Sequence, residues 1–155
     1  MKLRIALLAT FASVVPLISA AATPVPASFE SAGDDRKAIE ALLRTYTKAV
    51  SSKDEALFET ILLSKDIPFS GVAAKGADRR TQNYESFRKG VFEGPPFTQR
   101  FQDIHIAQDG SLADVSLVFV NTSPQGSSWG WKTLQLLKVG GQWKIASEFY
   151  TGHRA

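Results

Sequence analysis

Two apolar patterns divide the chain. From Asp34 to Val50 the apolar residues Ile39, Leu42, Leu43, Tyr46 and Val50 recur at helical spacing, while Arg36, Lys37, Glu40, Arg44 and Lys48 fall largely off that stripe. Asp34 or Asp35 is the expected cap, since acidic residues favour a helix N-terminus. Ser51-Ser52-Lys53-Asp54 breaks the helix. Asp54 then caps a short second helix that turns Leu57, Phe58, Ile61 and Leu62 inward. Ile67 to Val72 reads as a short strand, at an edge or irregular because of Pro68, and Ala73 to Arg80 as a polar loop. Asn83 caps a third helix with Tyr84, Phe87 and Val91 on one face, ended by Gly94-Pro95-Pro96.

Beyond Pro96 the period changes to two. Phe97 to Ile106 alternates, Asp109-Gly110 is a turn, Ala113 to Asn121 is a β-rich run, and Ser123 to Gly126 is a loop. Trp129 to His153 then forms a long hairpin about Gly140-Gly141, because glycine takes φ > 0 without a Cβ clash. On its first strand Trp129, Trp131, Thr133 and Gln135 share one face. On its second, Trp143, Ile145, Ser147 and Phe149 alternate with Lys144, Ala146, Glu148 and Tyr150. Both faces carry apolar residues, so neither is fully wet. The order is helix, helix, strand, helix, then four strands. It predicts an α+β domain, a curved antiparallel sheet wrapped around the N-terminal helices to leave a cone open at one end.

Composition adds an address. Of 155 residues, the first 21 read as a secretory signal peptide: Lys2 and Arg4, an apolar run from Ile5 to Ile18 too short to span a bilayer, then small residues at Ser19-Ala20-Ala21. The chain is expected to be exported, to the periplasm or beyond, with no membrane attachment after cleavage. Residues 22–33 read as a mobile Pro-, Ser- and Ala-rich leader, and residues 34–155 as one domain. There is no Cys, so the core alone must hold the fold. Removing the signal's two basic residues leaves 18 − 2 = 16 Lys+Arg against 15 Asp+Glu, a net of +1. No basic run supports nucleic-acid binding.

The element order, the segment IEALLRTYTKAVSSKDEALFETIL and the closing LLKVGGQWKIASEFY resemble the nuclear transport factor 2-like superfamily, in its SnoaL-like branch. The resemblance implies a cystatin-like cone-shaped roll, a homodimer, and a cone that binds a small, mostly apolar or aromatic molecule. A minority of such proteins are enzymes, and fold does not decide which. The superfamily's ketosteroid isomerase uses an Asp base with a Tyr and a protonated Asp. The resemblance puts Tyr46 at the Tyr position. It puts the base position at Ser70 and the second-Asp position near Gln135, where neither residue is a carboxylate. The chemistry is therefore not carried over, and no cofactor is implied.

The expected pocket comprises Tyr46, Phe69, Phe92, Phe119, Trp131, Thr133 and Gln135: apolar area with a few hydrogen-bonding groups. Two alternatives stay open. Tyr46 is either a donor into the cone or a core phenol, and the Trp129–Trp131 face lines either the cone or another subunit. The same aromatics could also fill the cone, making an interaction domain. Asp103 and His105 share a strand face as a weak metal or acid–base pair, more simply a solvated surface. Glu148 and Lys132 are expected to pair across strands on the other face, as a structural contact.

Overall fold

The computed structural model describes residues 28–73 and 79–154. The expected signal peptide and residues 22–27 of the expected leader lie outside the described residues. Helix α1 spans Gly33–Ser52 and buries Ile39, Leu42, Leu43, Tyr46, Ala49 and Val50, the stripe read from the sequence plus Ala49. Its N-cap is Ala32, with Asp34 and Asp35 in the first turn instead of at the cap. Lys53 stops it in the left-handed region at φ 58. Helix α2 (Glu55–Glu59) is capped by Asp54, which accepts from the Leu57 N–H. Helix α3 (Tyr84–Arg88) is capped by Asn83, which accepts from Ser86. A π-helical turn, Lys89–Glu93, continues α3 as far as Gly94.

Six strands form one sheet in the order β2-β1-β6-β5-β4-β3. They are β1 (Phe69–Ala73), β2 (Arg79–Gln82), β3 (Thr98–Asp109), β4 (Leu112–Ser123), β5 (Gly126–Val139) and β6 (Gln142–Arg154). The segment read as a polar loop thus ends in a strand, since Arg79–Gln82 pairs antiparallel with Val72–Phe69. Register along the sheet edge, and not apolar alternation, makes it one. Strand β1 also lies parallel to β6. Glu30 bridges Ala107 and the Ser31 N–H donates to the Ile106 carbonyl, so the end of the leader is fastened to β3.

Parity along β5 decides which residues meet the helices. Gly130, Lys132, Leu134 and Leu136 are buried on the concave face, while Trp129 and Trp131 stand 45% and 55% exposed on the convex one. The register of β6 shifts where Gln135 opposes Ser147 and Leu136 opposes Ile145. That bulge leaves Ala146 unpaired and moves Trp143 and Ile145 onto the same face as Glu148 and Tyr150. Strict alternation would have set these two pairs on opposite faces. Gly130 is glycine because a Cβ there would lie 1.9 Å from the Thr151 carbonyl oxygen. The turn at Gly140-Gly141 has φ of 58 and 79, the twist that a two-residue hairpin requires.

Candidate functional site

The deep end of the cone is full. Phe69 stacks on Phe87 at 4.6 Å, Phe87 on Phe58 at 5.2 Å, and Phe58 meets Tyr46 edge-on at 4.9 Å and Phe92 at 5.4 Å. Phe69 and Phe92, expected on a ligand-facing wall, are used here as packing. The expected wall from β5 is corrected too. Trp131, Thr133 and Gln135 share the convex face, because Lys132 and Leu134 between them are the residues turned inward. On that face Trp131 and Thr133 flank Phe149 and Val72, Trp129 stacks flat on His153 at 3.8 Å, and Gln135 meets Ser147 at 3.1 Å.

Toward the mouth the cone keeps a cleft of about 370 Å³. Phe87, Val91, Phe97, Phe119 and Tyr150 give it apolar walls. Gln99 and Asn121 add amides, and Arg154 stands at its edge. Of the seven expected pocket residues only Phe119 lines it. The π-helical turn contributes Gly90 and Val91, a distortion often found beside functional sites. Lys53 anchors that turn by donating to the carbonyls of Val91 and Pro95.

Lys132 and Glu148 also line the cleft. Their side chains are 4% and 0% exposed, with Nζ 2.7 Å from Oε1. Tyr46 completes the group: its hydroxyl donates to Glu148 Oε2 at 2.7 Å and accepts from Lys132 Nζ at 2.6 Å. The rings of Tyr46, Phe119, Phe101 and Tyr150 surround Nζ with centroids 4.4 to 5.8 Å away, an environment that favours a cation. Burial pulls the Lys132 ammonium below its ordinary pKa, with the Glu148 charge acting the other way. Burial, then the neighbouring Glu148 charge, pushes the Tyr46 phenol well above its own. Tyr46 is thus a core phenol whose hydroxyl is bound to a carboxylate.

The Lys132–Glu148 pair exists, but inside the cone. Its register is diagonal, Lys132 opposite Tyr150 and Glu148 opposite Leu134. The signal lay in the sequence: a lysine in phase with Leu134 and Leu136 occupies a buried position. The expected shared face of Asp103 and His105 is interrupted by a bulge between Gln102 and His105, where Asp103 has φ 52. Both are exposed, and no metal-binding cluster of His, Cys, Asp or Glu occurs among the described residues. Ser70 packs beside Trp131 on the convex side, away from Tyr46.

The comparisons with known proteins agree with this architecture. Residues 39–149 match the SnoaL-like domain. A nuclear transport factor 2-like protein of unknown function from Shewanella baltica superposes with a TM-score of 0.63 at 18% identity, over 78% of this chain and 95% of its own. A Nostoc punctiforme protein of unknown function with a cystatin-like fold gives 0.61 at 14%, over 80% and 95%. A scytalone dehydratase-like protein from Novosphingobium aromaticivorans gives 0.57 at 17%, over 77% and 84%. No curated protein matches the chain. At these identities the structures speak for the fold alone. With the domain match spanning most of the described residues, the chain belongs to the SnoaL-like domain family, and its fold is that of nuclear transport factor 2-like proteins.

Proposed function

We propose that this is an exported, homodimeric domain that binds a small, mostly apolar or aromatic molecule in the mouth of its cone. The observation that carries the reading is the cleft of about 370 Å³, with aromatic walls that close on one buried polar group, Lys132–Glu148. That volume falls within the roughly 300–1,000 Å³ of small-molecule sites, and apolar walls with few, fixed polar groups are their usual lining. The ligand site differs from the one expected from β5 parity, since Phe119 is kept and Lys132, Tyr150 and Val91 replace the convex residues. Titrating isotope-labelled protein with a library of aromatic fragments tests it. Amide signals of Gly90, Val91, Gln99 and Asn121 should shift together. Fragments that shift only the Trp131 face would overturn it.

One contact favours a second reading, an isomerase or dehydratase: Tyr46 bound directly to a carboxylate. It stands behind the first because the Glu148 oxygens are engaged by Tyr46 and Lys132 and are fully buried. Turnover of a hydroxy-carbonyl compound that is lost in both Tyr46→Phe and Glu148→Gln would promote it.

A further inference from the structure

Lys132 is a lysine inside an apolar cone, in contact with a cleft and with two groups that exchange protons. Resting on the reading of the cleft as a ligand site, we propose that Lys132 captures a small aldehyde or ketone as an imine on Nζ, with Glu148 and Tyr46 carrying the protons. The ligand class is then a carbonyl compound with an apolar or aromatic body.

Imine formation needs an amine lone pair, a carbonyl within reach, and proton carriers on both sides of the nitrogen. Glu148 Oε1 lies 2.7 Å from Nζ as an ion partner without hydrogen-bond geometry, so one ammonium proton passes to Oε2 through the Tyr46 hydroxyl, freeing the lone pair. The nitrogen attacks the carbonyl carbon and the C=O π bond breaks toward oxygen. Tyr46 Oη, 2.6 Å from Nζ and 2.7 Å from Glu148 Oε2, links nitrogen and carboxyl as a path for the second proton. The carbinolamine oxygen collects two protons and leaves as water while nitrogen closes the C=N bond. One proton stays on nitrogen. Ammonium plus carbonyl thus gives protonated imine plus water, with no oxidant or reductant consumed. The charge on nitrogen is +1 before and after, so the four surrounding rings and Glu148 meet the same cation at both ends of the reaction. Burial lowers the cost of freeing the amine, since it disfavours the ammonium. Lys37, Lys65 and Lys89, with side chains 78%, 65% and 61% exposed, are the reference lysines outside this setting.

Incubating the folded protein with benzaldehyde and cyanoborohydride tests this. Hydride adds to the imine carbon and fixes it as a secondary amine, which peptide mass mapping locates. Lys132 should be benzylated at least about tenfold faster than Lys37, Lys65 or Lys89, given what positioned proton carriers contribute. Tyr46→Phe, which keeps the ring and removes the shuttle, should bring Lys132 toward the rate of the exposed lysines. Benzyl alcohol, which has no carbonyl, serves as the binding control by amide shifts. If it shifts the cleft amides but Lys132 reacts no faster than the exposed lysines, imine capture is wrong and the cleft reading survives. If neither probe reaches the cleft, both fall.

Discussion

At the scale of residues, two carboxylates gather partners, Glu148 in the interior and Asp35 at the surface end of α1. Glu148 is fully buried and accepts from Tyr46 while pairing with Lys132. Removing its charge strands an ammonium in a ring of aromatics, and breaking a buried pair in this way costs about 3–5 kcal/mol. Glu148→Gln should lower the denaturant midpoint accordingly. Lys132→Met with Glu148→Leu should recover much of the loss, because it leaves neither charge behind. A single variant as stable as wild type would show that the pair is not energetically coupled. Asp35, in the first turn of α1, accepts from Lys138 at 2.7 Å and Trp143 at 3.1 Å, with Gln108 Nε2 at 2.9 Å. The bond from Lys138, then those from Gln108 and Trp143, hold its carboxyl below the ordinary 3.8. As pH falls the unfolded chain takes up that proton first, so the stabilisation is complete above that value and is lost as pH falls through the folded one. Acid titration of thermal stability should therefore show a steeper fall in wild type than in Asp35→Asn. Coincident curves would remove Asp35 from the acid response.

At the scale of elements, α1 is the spine and β6 the selector. Leu43 is 3% exposed within the α1 stripe, and Leu43→Ala should cost about 2–5 kcal/mol, the range for truncating a core leucine. An unchanged urea midpoint would contradict its place in the core. The bulge at Ala146 sets which side chains of β6 reach the cone. Deleting Ala146 removes the bulge and leaves Trp143, Ile145, Glu148 and Tyr150 at alternate positions, so their shared face should survive the deletion. Gly130 is constrained: a Cβ would meet the Thr151 carbonyl at 1.9 Å and Phe119 at 2.8 Å. Gly130→Ala should therefore separate β5 from β6 locally. The check is faster amide hydrogen exchange at Trp131 and Thr151, with the α1 amides unchanged.

At the scale of the whole molecule, the convex face carries the unresolved apolar area. Val72, Trp129, Trp131 and Phe149 are 45%, 45%, 55% and 47% exposed there, a grouping that marks an interaction surface. We expect a homodimer through it. Sedimentation at micromolar concentration should give twice the chain mass for wild type and the single mass for Trp131→Glu, whose charge would be buried unpaired. A monomeric wild type would send the face to a different partner. The export expectation belongs to the same scale and is checked by N-terminal sequencing of protein from its host. A mature chain beginning at Ala22 or Thr23 supports it, and an intact Met1 on a cytoplasmic protein refutes it.

Local rules were enough for what depends on neighbours in sequence. The sequence by itself determined the buried stripe of α1, the caps at Asp54 and Asn83, the Gly140-Gly141 turn and the succession of elements apart from β2, because helix periodicity, capping and turn conformation are set within a few residues. The closing hairpin and first helix also carried enough of a family's pattern to place the fold. The tertiary structure alone decided the site. A strand has two faces with equal claims from alternation, and only packing against α1 turned Lys132 inward and Trp131 out. The β6 bulge then brought Glu148 to the same side as Ile145, and so to Tyr46, 102 residues away in sequence. Strand β2 follows the same logic, because its strand character comes from pairing with β1 and not from its own polar residues. A single unpaired residue reverses the face of everything beyond it. No count along the chain records that reversal until the strands are paired.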